Sequence, residues 1–319
     1  MLALGKKPAR AAVSFKFETY FDAAVLPAVP RVFGKPWLVS EWGLLRNDTA
    51  GDCVWAGAAH ETMLWSAEAG NPVAFTDADV LADYAAVTGY DPTKPESDQG
   101  TDLQQAAAYR LKTGIVDAYR GRHKVDAYVA LQPGGLDQLA LAAFLFGSAG
   151  VGIQLPDSAF DQFQNAEPWS PVAGSRIEGG HYVPIVGRNR VGNFLCVTWG
   201  RLHAVTPAFL TTYMDEGVGF LSLERLRGSV SPQGFDYATL QSDLALLRAG
   251  PPKERSMPDT ATSDPAADLA AVKLAIQNVV NTFTYLGVSV GSHITDDELT
   301  KVATAAISAL DAVRAAPSI

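Results

Sequence analysis

Cysteine is scarce in this chain: Cys53 and Cys196 are the only two among 319 residues. Two isolated thiols make neither a disulfide framework nor a metal-ligand motif, so a reducing compartment is expected, with no metal and no other cofactor. Charge is also thin. Asp, Glu, Lys and Arg make up 18% of the chain, below the ~25% usual in soluble domains. The 25 basic residues are outnumbered by 34 acidic ones, for a net charge of −9. A chain so short of cations lacks the basic face of a nucleic-acid binder, and no nucleic-acid partner is expected. No apolar run reaches the ~18 residues that a membrane-spanning helix needs, so no membrane partner is expected either. Lys6, Lys7 and Arg10 open the chain without an apolar stretch behind them, which is not the pattern of a secretory signal peptide.

What is present is 48% hydrophobic residues spread over a length that builds a core without disulfides. Residues 1–39 read as an irregular arm rich in aromatics and punctuated by Pro27, Pro30 and Pro36, with a frayed basic start. Residues 40–248 read as the main domain. Its first half is helical: residues 53–69 stopped by Gly70, residues 76–88 from the N-cap Thr76 to Gly89, residues 101–113 and residues 136–146. Its second half is strand-like: residues 150–155, a hairpin of 182–187 and 193–199, a short helix over 206–214 and a strand over 217–223. Helices first and strands second predict an α+β fold with segregated layers. Residues 249–265 form a Pro-rich polar linker. Residues 266–319 carry two amphipathic helices, the second opened by a Thr295/Glu298 capping box. Such a helical hairpin must bury its stripes against the main domain or another copy, so attachment or homo-oligomerisation through it is expected.

Cys53 lies at the start of the first helix, behind Gly51 and Asp52. A thiol at a helix N-terminus is biased toward thiolate, and the nearby backbone N–H groups could converge on an oxyanion. Asp52 reads as the helix cap. His181 follows Gly179 and Gly180 at the head of a β-run, where a substrate backbone could approach closely. An imidazole next to a thiol can accept its proton.

These residues carry a resemblance. Asn47 stands six positions before Cys53, Gly51-Asp52-Cys53-Val54 occupies the place of a G-S-C-W motif, His181 to Gly187 has the spacing of a catalytic-histidine strand, and Thr198-Trp199-Gly200 takes the place of S-W-G. In this order and spacing, residues 40–225 resemble the papain-like cysteine peptidases, among them bacterial and phage-encoded members. The resemblance implies a papain-like fold, a peptide or protein substrate, Cys53 as nucleophile and His181 as general base and acid. It implies an amide oxyanion donor at Asn47, one methylene shorter than the family's Gln, and a His-shielding aromatic at Trp199. Gly180 and Gly100 would be backbone-binding walls. The family's His-orienting Asn falls on Val197, which cannot hydrogen-bond. Thr198 can replace it only through a bulge or a one-residue shift, because neighbouring strand residues face opposite ways. The tight turn before Phe194 is the expected place for that shift. Without the disulfides of secreted members, the chain is expected to be cytoplasmic or virion-associated.

Each residue also has a plainer reading. Cys196, inside a β-run, reads as a small core hydrophobe. His60, two helical turns after Cys53, reads as a core hydrogen-bonder, and His123, His203 and His293 as structural or surface residues. Asp215-Glu216 reads as a solvated turn. A catalytically inactive scaffold used for binding or as a structural part is the rival reading, motivated by Asn47 and Val197. An arm lying over the cleft as in a zymogen is a third.

Overall fold

The structure is a computed structural model and describes residues 2–9, 28–222 and 225. The predicted linker and the two predicted C-terminal helices lie outside the described residues.

Four helices and a sheet follow the predicted order. α1 (Cys53–Ala69) is stopped by Gly70 in the left-handed region, and α2 (Asp77–Thr88) opens on a capping box of Thr76 and Asp79. α3 (Leu103–Lys112) starts two residues later than the sequence pattern suggests: Asp102 is its cap, and Thr101 is used in a β-bridge to Lys6. A small ribbon, β1 (Ile115–Val116) and β2 (Arg122–His123), comes next. Then come β3 (Ala127–Leu131), α4 (Leu136–Phe146), β4 (Ala149–Pro156), α5 (Ser158–Gln164), β5 (Ile177–Arg188), β6 (Phe194–Thr198), β7 (Arg201–Val205), α6 (Pro207–Tyr213) and β8 (Met214–Leu221). The sequence pattern does not predict β1, β2, β3, α5 or β7. Each is short, and their apolar residues are too few to show a period.

The main sheet has six antiparallel strands in the order β3-β8-β4-β5-β6-β7. α1 is buried on nearly every side, as a central helix between the sheet and the other helices must be. Its packing on β5 depends on Gly57. A Cβ there would stand 2.5 Å from the Tyr182 ring, so glycine lets the ring lie flat against the helix. The backbone N–H of Tyr182, the residue after His181, faces the sulfur of Cys53 at the start of α1.

Two strand irregularities shape the cleft. β5 and β6 pair Gly187 with Leu195 but Ile185 with Cys196, leaving Val186 as an extra residue. β4 and β8 pair Gly152 with Glu216 but Ile153 with Met214, leaving Asp215 as an extra residue.

Lys6 and Lys7 are not frayed. Lys6 is 4% exposed, and its backbone pairs on both sides, donating to the Gly180 carbonyl (3.0 Å) while Lys7 donates to Thr101 (2.9 Å).

Candidate active site

Cys53 is the first residue of α1 and is buried. The backbone N–H groups of Tyr182 and Gly5 face its sulfur and favour the thiolate, but burial dominates and pushes the thiol up to about 12. The preceding Asp52 does not cap the helix with its side chain as expected. It is fully buried, one carboxylate oxygen has no partner among the described residues, and the other accepts from Asn47 Nδ2 at 3.3 Å. Burial holds its carboxyl well above the usual carboxylate range. Its backbone carbonyl does the capping, accepting from Trp55 and Ala56. The amide of Asn47 also reaches the Ala50 carbonyl at 3.5 Å.

The loop before Cys53 is tied across the cleft. Gly51 N–H donates to both oxygens of Asp98 (3.2 and 2.9 Å), Asp98 accepts from the Tyr84 hydroxyl, and that hydroxyl accepts from Gly100 N–H at 3.0 Å. A network with every bond satisfied fixes the spacing between the Cys53 loop and the Gly100 wall.

His181 is fully buried on β5. Its Nε2 stands 2.8 Å from Thr198 Oγ1, and its Nδ1 is buried without a hydrogen-bond partner among the described residues. Burial lowers the imidazole to about 3. Thr198 reaches it because of the extra Val186. Directly opposed residues of paired strands share a face, and beyond the bulge that puts His181 with Cys196 and Thr198. The register before the bulge would have put it with Val197, which instead packs against Trp42, Leu64 and Val186. The shift thus sits within β5 and not at the turn before Phe194.

Trp199 stacks on the imidazole, with ring centroids 4.6 Å apart and planes at 18°. It occupies the left-handed region (φ 43°) in the two-residue turn between β6 and β7, an unfavourable conformation for a bulky residue. Trp169 packs edge-on against both rings, and Phe163 against Trp199. Nothing in the sequence distinguishes Trp169 and Phe163 from core aromatics, and the sequence reading does not include them. His60 bonds the Gly43 carbonyl at 3.1 Å, as a core histidine should. His123 meets Asp117 at 3.0 Å, and His203 is buried under Trp169 and Phe163.

The cleft between these walls is filled by residues 4–7 of the chain itself. A Cβ on Gly5 would lie 1.7 Å from the Gly51 carbonyl oxygen, one on Gly100 2.0 Å from the Gly5 oxygen, and one on Gly180 2.1 Å from the Lys6 oxygen. These glycines therefore let a backbone pass at van der Waals distance over Cys53. Thr101 N–H donates to the Gly5 carbonyl at 2.6 Å, and the Trp199 indole reaches Ala3 at 3.4 Å. No group of His, Cys, Asp and Glu among the described residues is arranged to hold a metal, and no helix among them is long and apolar enough to cross a membrane.

Solved structures share this architecture. Xylellain, a cysteine protease from Xylella fastidiosa, superposes with a TM-score of 0.54 at 14% identity, covering 70% of this chain and 97% of that one. The fold is papain-like. A procathepsin B from Trypanosoma congolense matches at a TM-score of 0.49 and 11% identity, over 69% of this chain and 86% of that one. No protein-family model matches the sequence, and no curated protein does. At such identities the papain-like scaffold is shared and the chemistry rests on the side chains that this chain places on it.

Proposed function

We propose that this papain-like chain is a thiol hydrolase that cleaves a peptide or amide bond. The observation that carries the reading is the anchored imidazole: Thr198 holds Nε2 while Nδ1, buried and unpartnered among the described residues, is left for a proton from Cys53. Cys53 Sγ attacks the carbonyl carbon as its proton passes to His181 Nδ1. The oxyanion forms within reach of the Cys53 backbone N–H, with the Asn47 amide as second donor once it releases Asp52. The C–N bond breaks, His181 returns the proton to the leaving amine, and a thioester remains on Cys53. Water, deprotonated by His181, then cleaves the thioester to a carboxylate and the free thiol. Trp199 shields the imidazole from solvent throughout.

With residues 4–7 in place, thiol and imidazole are both desolvated and neutral. Catalysis requires that segment to leave the cleft, a zymogen-like arrangement. The deciding measurement is the pH dependence of Cys53 alkylation read by mass spectrometry, with buried Cys196 as internal control. The expected result, in a Lys6→Ala chain, is rapid alkylation well below the ~8.5 of an ordinary thiol, reverting to the ordinary profile when His181→Ala is added. A profile indifferent to His181 would mean an inactive scaffold.

A further inference from the structure

The side chain of Lys6 leaves the segment sideways into a pocket of its own. Its Nζ lies 2.9 Å from both oxygens of Asp215 and 3.2 Å from Glu216 Oε2, and the side chain is 0% exposed. The two carboxylates are sequence neighbours on β8 and in a regular strand would face opposite sides of the sheet. The bulge that leaves Asp215 unpaired between Met214 and Glu216 turns both into one space. Gln154 on β4 donates to Asp215 and holds it in place. The floor is Gly152, where a Cβ would stand 2.2 Å from Lys6 Cε, so the stem fits only because that residue is glycine. Two carboxylates face one ammonium, and both keep partial exposure (21% and 16%) where the lysine has none. The sequence reading of Asp215-Glu216 as a solvated turn is therefore corrected: they are strand residues at the base of a cleft.

We propose that Asp215, Glu216, Gln154 and Gly152 form a specificity pocket for a Lys or Arg side chain of the peptide substrate, which Lys6 occupies from within. The residue next to it, Gly5, is the one whose backbone lies against Cys53, so the pocket selects the substrate residue adjacent to the one presented to the thiol. The backbone edges that hold Lys6, the Gly180 carbonyl and Thr101, are the walls a substrate would use. This inference rests on the thiol-hydrolase reading for its chemistry, but the pocket can be tested without it. A carboxylate pair at the base of the cleft favours a cation over an apolar side chain, which leaves both charges without a partner.

The test uses the full chain carrying Lys6→Ala and fluorogenic peptide amides with Lys, Arg, Leu or Glu placed in turn at each of four positions. The same peptides, dye-labelled, are titrated against Cys53→Ala/Lys6→Ala by fluorescence anisotropy. The expected result is a preference for Lys or Arg over Leu of about tenfold or more at one position, lost in Glu216→Gln and in Gly152→Val. Glu216→Gln leaves Asp215 in place, and a thermal melt of each variant confirms folding. Discrimination in binding without turnover keeps the pocket and sinks the hydrolase reading. Turnover or binding that is indifferent to the basic residue, or a preference that survives both substitutions, overturns the pocket.

Discussion

Two of the buried cation–carboxylate clusters of the protein are built differently. Arg110 and Glu61 join α3 to α1 at 2.6 Å, with 2% and 0% of their side chains exposed. Glu61 also accepts from the Tyr182 hydroxyl at 3.0 Å, and the guanidinium lies 4.0 Å over the Phe220 ring and 5.5 Å from Trp65. Every group comes from a core element, and the charges match one to one. Lys6 with Asp215 and Glu216 has an excess carboxylate, a partly open rim, and a cation brought by a segment held mainly through backbone bonds. A closed, balanced cluster holds elements together. An unbalanced one with a detachable cation is a binding site with an occupant. Substitutions in the first should therefore register as stability, and those in the second as reactivity.

The largest effect is expected at the sealed cluster. Arg110→Ala leaves Glu61 buried without its cation and should cost about 3–5 kcal/mol, read as a lower midpoint in urea unfolding. A midpoint within error of the parent would mean that water enters this interface after all, and the contrast would fail.

Next comes Thr198→Val, which keeps shape and removes the hydrogen bond to Nε2. Valine of similar volume leaves the buried Nε2 without its partner, so stability should fall by about 1–3 kcal/mol. With Lys6→Ala present to open the cleft, Cys53 alkylation near neutral pH should slow by about tenfold to a hundredfold, because the imidazole loses its fixed orientation. Thr198→Ser should restore most of the rate. A large stability loss with no change in the pH profile would move Thr198 into the structural class.

Lys6→Ala by itself tests the other half of the comparison. Asp215 and Glu216 can rehydrate when the ammonium goes, so stability should change by about 1 kcal/mol or less. Cys53, held up to about 12 under the segment, should alkylate about tenfold faster at pH 7.5 once water reaches it. Gly5→Val gives an independent route to the same state, since its side chain cannot coexist with the Gly51 carbonyl. Identical alkylation rates in parent and both variants would show that residues 4–7 do not close the cleft.

Much of this can be read from the chain, and the division between what can and cannot is physical. Helix ends at Gly70, Thr76 and Gly89 are legible because caps are local chemistry. The order of Cys53, His181 and Thr198-Trp199-Gly200 is legible because spacing along strands and helices survives where identity does not. What depends on register is not legible. Thr198 can be named only conditionally, since whether it or Val197 faces His181 turns on one unpaired residue, Val186, inside an apolar run that carries no sign of a bulge. Asp215 and Glu216 look like a turn because acidic neighbours at a strand start carry no alternation. Lys6 looks like a frayed terminus because nothing in its surroundings says that Gly51, Gly100 and Gly180, far apart in sequence, make room for it. Local propensities are visible; bulges and long-range close approaches are not.

Asp52 lies between the two classes, and its substitution should have the smallest effect. It belongs to the buried core by exposure and to the cleft by its place next to Cys53. Its carboxyl is raised above the usual range by burial, with one oxygen unpartnered among the described residues. A folded-state pKa above the unfolded ~3.9 means that the folded chain holds the proton longer. The contribution of Asp52 is thus fully present below that value and is lost as pH rises through its folded pKa. Asp52→Asn removes the titration while keeping the size of the side chain. The variant should match the parent near pH 3 and exceed its stability at pH 7 by about 1 kcal/mol. It should also ease thiolate formation at Cys53, which the Asp52 charge opposes. If the two stability curves run parallel with pH while the thiol becomes more reactive, Asp52 acts on the nucleophile and not on the fold. If they diverge while the thiol is unchanged, the aspartate is a buried strain that the cleft tolerates.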